Sequence, residues 1–253
     1  MEQIIKYSRE NTQYSTLEQS CPIINDPNIM LIIISYVIPW NVKIMQELAK
    51  AGNLPVMKWA RENGCDWNEM VCWHASSSGH LDCLQWAREH EYPWDEYVCS
   101  VAAKHGHINC LKWARETGCP WNRWVCINAA SNGHLDCLIW ARENGCPWDI
   151  MVCSLAAKYG HLNCLKWAHE NGCHWNEWIC LVSAEYGQLD CLILARENGC
   201  PWDIWVCYYA AKYGHLACLI WARENGCPWD KKVCLETATN MRQQNIVDWI
   251  NSL

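Results

Sequence analysis

The stretch WDIWVCYYAAKYGHLACLIWARENGCPWD, from Trp202 to Asp230, decides the fold of this protein. It begins and ends on the dipeptide Trp-Asp, because Trp202 and Trp229 lie 27 residues apart. The glycine near its centre recurs at the same period, as Gly52, Gly79, Gly106, Gly133, Gly160, Gly187 and Gly214. A fixed period of this length indicates a repeat protein, in which each short unit buries its apolar face on its neighbours.

Each repeat is expected to contain two short helices, here called helix A and helix B. Asp203 can cap the start of helix A, and Gly214 can close that helix in a left-handed conformation. Gly226 closes helix B twelve residues later. Glu91 occupies the position of Gly226 in an earlier repeat, where a left-handed conformation is unfavourable for a residue with a side chain. Helices of about ten residues are marginal alone in water, so packing between repeats must stabilise them.

Helical spacing predicts which face of each helix is buried. In helix A, small apolar residues pair at i and i+4 and hardly vary between repeats. The buried residues predicted for helix A are Val206, Cys207, Ala210 and Ala211. Those predicted for helix B are Leu216, Cys218, Leu219, Trp221 and Ala222. The tryptophans of the turn and of helix B are expected to cover the seams between repeats.

These repeats resemble those of the ankyrin family. The shared pattern is Ala-Ala-x-x-Gly-His-Leu, an apolar helix and a second glycine, complete in Ala129 to Gly145, Ala156 to Gly172 and Ala210 to Gly226. The resemblance implies an all-α solenoid of stacked helix-turn-helix repeats. The ankyrin Thr-Pro-Leu-His start is absent, and the repeat is about six residues shorter than the usual length. We therefore expect a turn in place of the β-hairpin fingers. Short repeats rich in Cys and Trp are similar to the ankyrin repeats of giant DNA viruses of amoebae.

The pattern divides the chain into three parts. Residues 39–227 are predicted to form seven repeats. Residues 228–253 form a degenerate capping repeat that loses Gly-His and reads Asn240, Met241, Arg242 and Gln243 there. Residues 1–38 are interpreted as a polar N-terminus plus a capping helix. A faint resemblance of this segment to an F-box leaves a ubiquitin-ligase adaptor as an alternative.

Nineteen of the 20 cysteines occupy three positions of the repeat, one in the turn, one in helix A and one in helix B. The six, ten and eight residues between them do not match the closely spaced ligand pairs of zinc sites. Disulfides between equivalent positions are not expected either, because packed helices lie farther apart than a disulfide spans. We therefore expect buried free thiols and no metal or cofactor. A thiol-rich metal or redox protein remains an alternative.

The histidine after the central glycine is replaced by Gln188 in one repeat, which favours a hydrogen-bonding role over a metal ligand. A net charge of −7 and a pI near 5.8 provide no basic surface for nucleic acid. The apolar run Ile29 to Ile38 is too short to span a membrane, and it lacks the features of a secretory signal. The expected protein is a monomer of a reducing compartment, the cytoplasm or nucleus, including that of an infected host cell.

No catalytic motif is recognised, so the chain is not expected to be an enzyme. Function is expected where repeats differ, because stacking does not determine the residues there. In helix A these positions lie at i, i+3, i+4 and i+7, on the face opposite the buried one. The resemblance implies that this face lines the concave binding surface. The candidate residues for binding a partner protein are Tyr97, Trp124, Met151, Trp178, Trp205, Tyr208, Tyr209 and Lys212. The alternative is that these side chains pack against the next helix A.

Overall fold

The structure is a computed structural model that describes residues 42–91 and 93–253. Sixteen α-helices occur in these residues, without a β-strand. Helix A of successive repeats is α1 (Val42–Ala51), α3 (Met70–Ser77), α5 (Glu96–Lys104), α7 (Trp124–Ser131), α9 (Met151–Lys158), α11 (Glu177–Glu185), α13 (Ile204–Tyr213) and α15 (Lys231–Asn240). Helix B is α2 (Leu54–Glu62), α4 (Leu81–Glu89), α6 (Ile108–Glu116), α8 (Leu135–Glu143), α10 (Leu162–Glu170), α12 (Leu189–Glu197), α14 (Leu216–Glu224) and α16 (Gln244–Asn251).

The predicted all-α architecture of two short helices per repeat is confirmed. A turn joins each helix B to the next helix A, where ankyrin repeats carry a finger. The N-terminal segment 1–38 lies outside the described residues, together with its predicted capping helix and the F-box alternative.

The chain divides into two compact bodies, Met1–Val98 and Cys99–Leu253, and the division falls within α5. In the first body, α3 packs on α1 and on α4. In the second body, each helix A from α7 to α13 packs on the next helix A, and each from α7 to α15 packs on its own helix B. Successive A helices there approach each other more closely than successive B helices do.

Helix A begins at a side-chain cap. The carboxylate of Asp203 accepts a hydrogen bond from the backbone N–H of Trp205, 3.0 Å away. Asn122 and Asp149 make the same bond two residues ahead, to Trp124 at 3.0 Å and Met151 at 2.9 Å. These bonds satisfy backbone donors that the helix itself leaves unpaired. The start of helix A predicted at Asp203 is therefore confirmed.

The core consists largely of small side chains at repeating positions. Val206, Cys207, Ala210 and Ala211 of α13 are all buried, as are the corresponding residues of α7 and α9. Alanine and cysteine project little from the helix, so neighbouring A helices can approach closely. In helix B, Cys218, Leu219 and Ala222 are buried, whereas Leu216 and Trp221 are half-buried. The predicted buried face of helix A is confirmed, and that of helix B is confirmed in its central part.

Histidine connects one repeat to the preceding one. His161 lies against Gly133, where an added Cβ atom would come within 2.7 Å of the ring nitrogen Nδ1. The other ring nitrogen, Nε2, donates a hydrogen bond to the carbonyl oxygen of Ser131, 3.1 Å away. His215 repeats this arrangement with Gly187 and with the Glu185 carbonyl, at 3.0 Å. Glycine is thus required for space as well as for its positive φ.

Glutamine substitutes for histidine at two of these contacts. Gln188 lies against Gly160, and Gln243 lies against Gly214. Gln243 follows His215 by 28 residues instead of 27, and Arg242 takes the left-handed conformation of the central glycine, with φ 59°. The capping repeat therefore keeps the contact, although its sequence was interpreted as having lost Gly-His. An amide can replace the imidazole, which agrees with the predicted hydrogen-bonding role.

In several repeats the tryptophan of the turn connects two successive B helices. Trp121 lies between Arg115 of α6, whose guanidinium carbon is 4.5 Å from its ring, and Trp140 of α8, whose ring is 5.8 Å away. Equivalent contacts surround Trp148, at 4.5 and 5.8 Å, and Trp202, at 4.6 and 5.8 Å. Each such cation–π or edge-to-face contact contributes roughly 0.5–1 kcal/mol to the stability of the fold. The tryptophans cover the seams between repeats, as predicted.

Replacing Glu91 with glycine is expected to raise the free energy of unfolding by about 1 kcal/mol. Glu91 has φ 60°, whereas glycine stands at this position in the other repeats, with φ 81° at Gly64. Urea denaturation of the full chain measures the effect. Gln85→Gly is the control, since a glycine in the middle of α4 is expected to lower stability by about 0.5–1 kcal/mol. No gain for Glu91→Gly would contradict the inferred strain.

Glycines that contact a histidine of the next repeat and glycines that contact nothing are expected to lose different amounts of stability when replaced with alanine. Gly145 has φ 82° and no neighbour within 4 Å of an added Cβ, so alanine is expected to lower stability by about 1–2 kcal/mol through conformation alone. Gly133→Ala incurs the same strain and also collides with His161. It should therefore destabilise the protein more. Adding His161→Ala to each variant checks the cause, because only the Gly133 variant should recover part of its loss. Equal losses of stability in Gly145→Ala and Gly133→Ala would argue against the contact between Gly133 and His161.

Candidate functional site

The candidate tryptophans stand exposed at the first turn of helix A. Trp124 is 44% exposed, Trp178 54% and Trp205 49%. The side chains of Asn122, Asn176 and Asp203 bond to the N–H groups of these three tryptophans. The next two residues of each helix are buried, so the indole rings point away from the core. Side chains packed against the neighbouring helix A would be less exposed.

Two other candidate residues share this position in their own repeats. Met151 of α9 is half-buried. Tyr97 of α5 is 62% exposed and lies in the first body. Its N–H bonds to the carboxylate of Asp95 at 3.0 Å, so the start of α5 is capped like the others.

The remaining candidates join Trp205 in one aromatic cluster on α13. The rings of Trp205 and Tyr208 are 5.2 Å apart and nearly perpendicular, and those of Tyr208 and Tyr209 are also 5.2 Å apart. The ammonium of Lys212 lies 5.5 Å from the ring of Tyr209. Tyr208, Tyr209 and Lys212 are half-buried, so each keeps part of its surface open to solvent.

Three exposed tyrosines were missed by the sequence analysis. Tyr159, Tyr186 and Tyr213 are 50%, 41% and 40% exposed and directly precede the central glycine of their repeats. The sequence does indicate this position, because the residue there varies and is His105 and Asn132 in earlier repeats. The position therefore varies in the same way as those selected on helix A.

Lysine side chains lie among these tyrosines. Lys158 is 4.5 Å from the ring of Tyr186 and 5.3 Å from that of Tyr159, and so it connects two successive repeats. Lys212 is 5.1 Å from the ring of Tyr213. Hydrogen bonding with Tyr186 raises the pKa of Lys158, and hydrogen bonding with Tyr213 raises the pKa of Lys212. Both ammonium groups are therefore charged at neutral pH.

The cysteines of the repeats are buried and form no disulfide. All nineteen in the described part of the chain are unbridged. Burial raises the pKa of Cys164 and of Cys218 to about 11. These thiols are consequently protonated at neutral pH and poor nucleophiles or metal ligands. Within residues 42–91 and 93–253, no three His, Cys, Asp or Glu side chains converge to hold a metal ion.

The turn cysteine has a structural contact that the sequence analysis did not find. Cys146 Sγ donates to the backbone carbonyl of Asn122 at 3.3 Å, and Cys200 and Cys227 do the same to Asn176 at 3.0 Å and Asp203 at 3.3 Å. Each thiol thus connects one turn to the preceding turn. Hydrogen bonding to Cys146, together with burial, raises the pKa of Cys126. The contact of the turn cysteine joins two different positions of the repeat, so the spacing between equivalent positions does not reveal it.

Comparison with known proteins confirms the resemblance to ankyrin repeats. Residues 99–142 match the family model described as ankyrin repeats (many copies). Among 233 matching chains of solved structures is the human ASB11 ankyrin repeat domain. It superposes with a TM-score of 0.53 at 16% identity, over 62% of this chain and 84% of that one, and at this identity it establishes the fold alone. No curated protein matches the sequence significantly. The described helices include none that is both long and apolar enough to cross a membrane.

The thiols generate a prediction about metal. Purified protein in a reducing buffer is expected to contain no stoichiometric zinc or iron, and its helical circular dichroism should persist in a strong chelator. Because the thiols are buried, they should react slowly with a thiol reagent in the folded protein and fully after denaturation. Elemental analysis, circular dichroism and thiol titration measure these outcomes. Loss of helicity on chelation would support the thiol-rich metal protein instead.

Proposed function

We propose that the chain is a non-catalytic scaffold that binds a partner protein through the helix-A face of its second body. This face is defined as Trp124, Met151, Trp178, Trp205, Tyr208, Tyr209 and Lys212. Tyr97 is an additional candidate contact in the first body. Ankyrin repeats generally mediate protein–protein interaction, which supports the class of function. The observation that carries the proposal is the exposure of three tryptophans at one position of three repeats.

Exposed tryptophan requires an explanation on a protein surface. Trp and Tyr are enriched at the centres of protein interfaces and provide most of the residues with large effects on affinity. Ring contacts between repeats already engage most tryptophans of the other two sets, in the turn and in helix B. The third set, Trp124, Trp178 and Trp205, has no comparable role in stacking. It is therefore the one available to a partner.

The packing of the second body supports the choice of this face. Successive A helices approach more closely than successive B helices, as expected if the A helices line the inner side of a curved stack. A partner lying there can contact several repeats at once. The proposed partner is neither nucleic acid nor membrane, because the net charge is −7. A monomer in a reducing compartment fits the many free cysteines.

Replacing Trp124, Trp178 and Trp205 together with alanine is expected to leave the protein folded and to abolish binding. Each exposed tryptophan should contribute about 2 kcal/mol or more to affinity if it is a hot spot. A fully buried tryptophan would instead lower stability by about 3–5 kcal/mol on replacement. Affinity purification from the source cells with mass spectrometry identifies the partner, and thermal melts with pull-downs then compare the variants.

Trp140→Ala is the matched control for this experiment. Trp140 lies in a seam between repeats, so its loss should lower the melting temperature while leaving the helix-A face intact. A folded triple variant that binds its partner normally would defeat the assignment of this face. An unfolded triple variant would support packing instead of binding.

A further inference from the structure

One end of the helix-A face carries a row of lysines and tyrosines. Lysine stands two residues before the central glycine in every second repeat of the second body, as Lys104, Lys158 and Lys212. Ser131 and Glu185 hold this position in the repeats between them. With helices packed about 8–10 Å apart, lysines two repeats apart are separated by roughly 20 Å.

The row has a positive charge on an acidic protein. Helices α9 and α13 contain no Asp or Glu, and each ends in or near a lysine of the row. Helix α11 contributes Glu177 at its start and Glu185 at its end, and the charge of Glu185 reaches Lys158. The chain as a whole has a net charge of −7, so this local positive charge is a departure from its average.

The tyrosines determine what the lysines can bind. Lys158 and Lys212 are held over ring faces at 4.5 and 5.1 Å, which restricts the motion of their long side chains. Less side-chain entropy is then lost when a ligand binds. Ammonium and phenol groups both donate hydrogen bonds, and the exposed ring faces offer apolar contact beside them. Carboxylate groups on an extended chain fit this combination.

We propose that this row, defined as Lys158, Lys212, Tyr159, Tyr186 and Tyr213, binds an extended acidic segment of the partner protein. The inference rests on the proposed function and adds the chemical class of the partner. An extended chain advances about 3.3 Å per residue, so roughly six residues span the distance between Lys158 and Lys212. Glu185, between the two lysines, disfavours a carboxylate at the middle of that span.

The test uses the full chain and a synthetic peptide of about twelve residues, twice the span between the two lysines, in which glutamate alternates with serine. Fluorescence anisotropy of the labelled peptide measures the affinity. Lys158→Ala and Lys212→Ala are each expected to weaken binding about two- to five-fold, the range of a single exposed ion pair. Glu185→Gln should strengthen it by a similar factor. Added salt should weaken binding, because exposed charges are screened.

Two variants on α10 serve as matched controls. Lys166→Ala and Glu170→Gln make the same changes of charge on exposed residues of helix B, and they should leave the affinity unchanged. Equal effects of the controls would show that net charge alone governs binding and would overturn the inference. Equal binding of a peptide with glutamine in place of glutamate would overturn it too. So would tighter binding of a single-stranded oligonucleotide, which would indicate a nucleic-acid surface.

The result is separable from that of the tryptophan experiment. If the acidic peptide fails to bind while the tryptophan variant loses its natural partner, the scaffold function stands and the acidic segment is wrong. If the lysine variants lose the peptide while the tryptophan variant binds its partner normally, the row is supported and the wider face is wrong. Melting temperatures of all variants establish that each protein tested is folded.

Discussion

Stacking in this protein depends on the contact between a histidine or glutamine and the glycine of the preceding repeat. The contact fills the space that a Cβ atom would occupy, and at His161 and His215 it ends in a hydrogen bond to a carbonyl at the end of the preceding helix A. That carbonyl belongs to the last turn of a helix, where acceptors lack intrahelical partners. One side chain therefore closes a helix and aligns the next repeat. The 27-residue period follows from this double role, since the glycine and the histidine or glutamine that contacts it must recur together.

The turns provide a second connection that replaces the ankyrin finger. A finger would connect neighbouring repeats through additional backbone, but this turn is too short to form strands. Instead, Cys146 donates to the carbonyl of Asn122 in the preceding turn, and Trp148 lies between Arg142 and Trp167. Weak thiol hydrogen bonds and ring contacts thus connect neighbouring repeats in place of a hairpin. These contacts give the abundant cysteine and tryptophan a structural role between the repeats.

Sequence periodicity predicted most of the fold but only part of the candidate site. A period identifies which residues occupy equivalent positions, and helical spacing identifies which of them share a face. Neither gives distances between different positions of neighbouring repeats. The contact of Cys146 with Asn122 and the position of Lys158 between Tyr159 and Tyr186 depend on such distances. Gln243 was missed for another reason, because the last repeat has one extra residue before it and Arg242 replaces the glycine in the left-handed conformation.

The residues that vary between repeats form the surface that a partner would recognise under the proposed function. Small constant residues bring the A helices close together, so the variable residues at their two ends form rows with a regular spacing. Each contact along such a row is weak, and affinity grows with the number of repeats that a partner engages. An extended partner must also choose a register. Alternation of lysine with serine or glutamate distinguishes registers one repeat apart, because a shift would place a carboxylate opposite Glu185 instead of Lys158. The variation between otherwise similar repeats is thus what gives this surface its specificity under the proposed function.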